Sequence, residues 1–137
     1  MTALTANYDA ERKDGLLISH PLEAATTVYK NALVCANADG YLLPGDDASG
    51  YLFLGIAYEK GDNSGGADGD VSVRTWKGGT YVLAANFTAA QEDVGSEVYI
   101  VDDNTVGLTS TNTVKCGVIV EVLSSSEVRI RIDNYVM

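Results

Sequence analysis

The chain has 137 residues, 46% of them hydrophobic and 20% charged, a length and composition that favour one globular domain. Nineteen acidic side chains against nine basic ones give a net charge of −10, a surface that repels phosphate backbones and argues against nucleic-acid binding. No apolar run reaches the roughly 18–20 residues of a membrane span, and the N-terminus lacks the apolar stretch of a secretory signal.

Residues 1–20 show no sustained periodicity. Glu11, Arg12, Lys13 and Asp14 form a mixed-charge patch. This segment reads as an extended arm, ordered only when something outside pins it. Residues 21–137 then form a single β domain.

The run TTVYKNALVCA (26–36) is β-branched and aromatic, then mostly apolar, which suits a strand. NADGYLLPGDDASG follows, dense in turn formers. YLFLGIAYE (51–59) is too short for a buried helix and predicts a strand, with Gly55 marking a bulge or a close backbone approach. KGDNSGGADGD (60–70) reads as a long flexible loop. Its spacing fits neither an EF-hand nor a Gly-Gly-x-Gly-x-Asp calcium repeat, so no metal is assigned to it.

In VSVRTWKGGTYVLA, Gly78-Gly79 has the composition of a two-residue hairpin turn. That register sets Trp76 opposite Tyr81 and Arg74 opposite Leu83. It gives a core face of Val73, Thr75, Val82 and Ala84, and a second face of Arg74, Trp76, Tyr81 and Leu83. The second face is too apolar for plain solvent. Either a loop or the arm covers it, or it is a subunit interface, where Trp, Tyr and Arg concentrate.

Thr88 and Gln91 have capping-box spacing and predict one short helix in TAAQEDVG. EVYIVDDNTVGLT (97–109) predicts a hairpin with Asp103-Asn104 at its tip and Tyr99, Val101, Val106 and Leu108 on one face. In VIVEVLSSSEVRIRI, a loop at Ser124–Ser126 sets Glu121 opposite Arg129 and Val122 opposite Val128, with a cross-strand ion pair on the wet side. The order Gly, aliphatic, two residues, Glu, loop, then Val-Arg occurs at Gly55 and again at Gly117. Two Gly-bent strands, each with a partner, predict an all-β fold: a small antiparallel β-barrel or sandwich built from hairpins.

Chemistry is signalled mainly by absence. His20 is the one histidine, and with Cys35 and Cys116 far away in sequence it makes no zinc set. The two cysteines read as buried free thiols. No Gly-x-Ser-x-Gly elbow, dinucleotide fingerprint or phosphate loop is present. No catalytic residue, cofactor or metal is assigned.

Three stretches carry a resemblance: ATTVYKNALVCANADGYLLPGDD, YLFLGIAYEKGDNSGGADGDVSVRTWKGGTYVL and DVGSEVYIVDDNTVGLTSTNTVKCGVIVEVLSSSEVRIRI. Over about residues 24–132 the chain resembles the small capsid cement or head decoration proteins of tailed bacteriophages. One departure is Asn31, where a glycine is expected after Tyr-Lys. The resemblance implies a structural virion protein rather than an enzyme. It implies binding to the major capsid protein on the outer capsid surface, across subunit junctions, commonly as a homotrimer. Arg74, Trp76, Tyr81 and Leu83, with Arg12 and Lys13 of the arm, are the candidate interface residues. The competing reading is a carbohydrate- or host-surface-binding module that stacks sugars on Trp76, Tyr81 and Tyr51.

Overall fold

The computed structural model describes residues 2–133. The all-β expectation holds, with two sheets and a small ribbon. The first sheet holds β1 (Leu17–Pro21), β3 (Leu33–Ala36), β4 (Leu42–Pro44), β5 (Leu52–Ala57) and β7 (Ser72–Trp76), in the order β1-β7-β5-β3-β4. The second is a closed barrel of β8 (Gly78–Ala85), β9 (Glu97–Ile100), β10 (Thr105–Gly107), β11 (Lys115–Ser124) and β12 (Glu127–Asp133), in the order β10-β8-β12-β11-β9. β2 (Thr26–Val28) and β6 (Gly61–Asn63) pair as the ribbon. Among the described residues the named strands pair antiparallel except β10 with β8, and an isolated parallel bridge joins Leu22 to Leu42.

The first sheet is covered on both faces. Leu33, Cys35, Phe53 and Ile56 share one apolar cluster with the barrel residues Val98, Ile100, Val106, Ile119, Val128 and Ile130. Val34, Leu42, Ala57 and Val73 join Leu22 and Val28 in a second cluster on the opposite face. This is why Leu33–Ala36 is a continuous apolar run: all four residues are buried, so alternation has no work to do. Cys35 and Cys116 are buried free thiols, as expected.

The hairpin over Gly78-Gly79 does not form. Trp76 pairs with Leu17 of β1 and Ile56 of β5, while Gly78 and Gly79 pair with Asp133 and Ile132 of β12. The chain passes straight from the sheet into the barrel at Lys77, whose amide donates to the Leu16 carbonyl at 2.8 Å. Both sides of the crossing find better partners elsewhere than each other. The faces of β8 exchange as a result: Leu83 is core and Val82 is 51% exposed, because Leu83 lies beside Val128 in the barrel wall and turns inward.

The arm is shorter than expected. β1 begins at Leu17, inside the span assigned to it, and Ile18 and His20 lie beside Thr75 and Val73. Residues 2–14 are exposed and carry no strand or helix. The supposed flexible loop at 60–70 is pinned. Asn63 is buried and its side-chain amide donates to the carbonyls of Glu23 and Ala67, both at 2.9 Å. Asp70 and Asp68 accept from the amides of Ala67 and Ala24. The short helix is a single 3-10 turn, Gln91–Asp93, closed by the Asp93 carboxylate on the Ala90 amide rather than by Thr88.

The β9–β10 hairpin forms, but its tip is one residue out of the expected register: Val101 donates to Thr105 and Val106 lies opposite Ile100, so its buried face is Val98, Ile100 and Val106. In β11–β12 the pairs Glu121–Arg129 and Val122–Val128 form as expected. A bulge between Ile119 and Glu121 turns Ile119 inward and leaves Val118 and Val120 outside. The turn tightens to Ser125-Ser126, and the Arg129 guanidinium donates to the Thr80 hydroxyl at 2.9 Å instead of pairing with Glu121.

Candidate interaction surface

The six candidate interface residues do not converge. Leu83 is 6% exposed and belongs to the barrel core. Tyr81 packs on the same core and its hydroxyl donates to the Gly78 carbonyl at 2.9 Å. Trp76, also packed on that core, meets the Tyr58 ring edge-to-face at 5.4 Å. Arg74 is held by Glu59 through two guanidinium hydrogen bonds of 2.8 and 2.9 Å and lies over the Tyr58 ring. Its pairing drops the Glu59 carboxyl to about 2. Arg12 and Lys13 stand exposed on the arm, Arg12 within 3.8 Å of Asp14.

The stacking platform for sugars dissolves for the same reason. Trp76, Tyr81 and Tyr51 are half-buried against the core. Among the described residues the exposed aromatic rings are Tyr8, Tyr29 and Tyr58. Sequence alternation could not separate these classes, because YVLAA is apolar on both faces and either register buries something.

A buried lysine sits at the crossing, and a half-buried histidine lies further along β1. Lys77 is 5% exposed and its Nζ donates to the Leu54 carbonyl at 2.7 Å. Burial lowers its pKa to about 8. His20 falls to about 4, by burial first and by the Lys77 charge second, and its Nε2 is buried without a hydrogen-bond partner. A neutral imidazole there answers to packing and has no carboxylate to orient it as a base. Among the described residues no group of three or more His, Cys, Asp or Glu converges on a metal-binding geometry, and no helix is long and apolar enough to cross a membrane.

What remains on the outside is apolar surface without a fold-internal role. Val118, Val120 and Leu123 are 37%, 41% and 49% exposed along β11, and Val94 stands 40% exposed after the 3-10 turn, which packs against that strand. Val82, at 51%, and Tyr29, at 60%, flank a groove beside β8.

A family model described as phage cement protein matches residues 12–133. The chain belongs to the phage cement protein family. This cement protein is therefore a capsid-associated structural protein of a phage. No curated protein matches it. Among solved structures it is similar to "The crystal structure of head fiber gp8.5 N base in bacteriophage phi29", with 17% identity, a TM-score of 0.48, and coverage of 87% of this chain and 96% of that one. The cement family match begins at Arg12, so it includes the charged part of the arm.

Proposed function

We propose that this cement protein binds the outer surface of the assembled capsid across junctions between major capsid protein subunits, as a homotrimer, and stiffens the shell there. The observation that carries the reading is the apolar stripe Val118, Val120 and Leu123 on the outside of a body with net charge −10. A strongly acidic protein that keeps a line of aliphatic side chains in water has a protein surface to meet. The bulge at Val120 builds that stripe, since it sets the consecutive Val120 and Glu121 both outward and so brings Val118 and Val120 to the same side of the strand as Leu123.

A clamp of this kind acts by mass action. It binds the lattice and not the free subunit, so it stabilises the lattice. Three copies joined together engage several subunits at once and gain from effective concentration. Acidic charge keeps the protein off packaged DNA. Half-buried Trp76 and Tyr81 give the carbohydrate alternative no platform.

Co-sedimentation tests the reading. The native chain should pellet with assembled shells and not with dissociated shell protein. The double variant Val120→Asp/Leu123→Asp should lose at least tenfold in shell affinity while remaining folded. Equal binding by the variant, or equal binding to dissociated subunits, overturns it.

A further inference from the structure

One edge of the barrel is left open along most of β8. Leu83 lies opposite Val128 and Tyr81 opposite Ile130, and the Ala85 amide donates to Ser126. The odd-numbered residues therefore direct their backbone groups toward β12, and the even-numbered ones direct theirs away. The Ala84 amide follows this rule and donates to Asn104, where β10 covers the edge at Ala84 and Ala85. Among the described residues no strand lies on that edge at Thr80 and Val82. A groove of about 730 Å³ reaches the edge at Val82 and runs on past Ala84 between Tyr29, Lys30, Asp103 and, on the β12 side, Glu127.

The arm has the complementary pattern. As a strand, Leu4, Ala6 and Tyr8 share one face. Leu4 and Tyr8 are each 72% exposed. Arg12 and Lys13 follow, opposite in charge to Asp103 and Glu127 of the groove. Residues 2–16 extended span at most about 50 Å, enough to cross to a neighbouring molecule.

We propose that residues 2–8 of one copy add as a strand to the free β8 edge of a second copy. Backbone groups of Thr80 and Val82 supply the hydrogen bonds, and Val82 and Tyr29 receive Leu4 and Tyr8. Passed from each copy to the next, this contact is head-to-tail and closes a ring. It rests on the homo-oligomer in the proposed function and not on capsid binding, and so is tested without capsids.

Chains carrying Ala6→Cys and Val82→Cys are mixed and oxidised, the native thiols being buried. A heterodimeric disulfide should form in the mixture, at several times the yield of either chain alone. Sedimentation of the native protein should give a multiple of 14.5 kDa, falling to the mass of one shortened chain when residues 2–15 are removed. Circular dichroism of the truncated chain should still report the β domain, since β1 starts at Leu17. A native monomer, an unchanged oligomer after truncation, or a disulfide that forms only within a chain carrying both cysteines would each overturn the proposal.

Discussion

The α-carbon of Gly55 is pressed against the main-chain carbonyl of Trp76 on the neighbouring strand, where a Cβ would overlap it. Gly117 makes the same approach to the carbonyl of Arg131. Each glycine also marks a register shift, β5 against β3 and β11 against β9. The recurring Gly-x-x-x-Glu is thus one device used in two sheets. A glycine lets the strand bend under its partner, and the glutamate four residues on faces an arginine of that partner, Glu59 with Arg74 and Glu121 with Arg129.

Gly55→Ala should therefore destabilise strongly. The added carbon meets backbone, which cannot swing aside, and φ is +141°, a region that L side chains avoid. Strain and overpacking together predict a loss of ~3 kcal/mol or more. Urea unfolding measures it, and a midpoint within error of the native protein would refute the packing account.

Trp76→Ala should reduce stability by ~2–3 kcal/mol, since the indole packs on the core and on Tyr58. Its oligomeric state should not change. Sedimentation of the folded variant checks the second half.

Acid should weaken the fold in two stages. His20 has a folded pKa near 4 against 6.5 unfolded, so the unfolded chain binds its proton first and stability falls as pH drops from about 6.5 to 4. Glu59, held at about 2 against 4.5, adds a loss as pH falls below 4.5. His20→Phe should remove the upper stage and leave the lower one, read from melting temperature against pH.

Lys77 gives the opposite limb. Its folded pKa of about 8 lies below the unfolded 10.5, so the folded chain releases its proton first and the Lys77 contribution to stability rises between pH 8 and 10.5, opposed above pH 9 by the raised pKa values of the buried thiols. Lys77→Met should abolish that rise.

Local alternation made the barrel hairpins legible. β11–β12 folds back through a two-residue serine turn, and Val122 meets Val128 because both strands alternate in phase. The bulge at Val120 was hidden, since valine reads the same on either face. Gly78-Gly79 misled because its turn chemistry is genuine, yet Leu16 and Ile132 compete for the same backbone and win. The arm's root was missed for a related reason: Leu17–Pro21 has no periodicity of its own and is a strand only because β7 offers an edge. Asn31, where glycine was expected, adopts φ +69°, a conformation asparagine tolerates better than most residues. The misplaced turn inverted the faces of β8, which is why Leu83 lies in the core and Val82 outside.

The two thiols should be inert in the native protein. Burial pushes Cys35 up to about 12 and raises Cys116 further, with its Sγ 3.6 Å from the Val98 carbonyl. A disulfide-exchange reagent should titrate them only on unfolding, and rapid labelling of the native protein would contradict the core placement.

The most direct test of the clamp is the temperature at which shells lacking this protein come apart, measured with and without a saturating addition of it. The account predicts a rise of several degrees that plateaus at a fixed ratio of cement to shell protein. Shells that disassemble at the same temperature with the protein bound would contradict it.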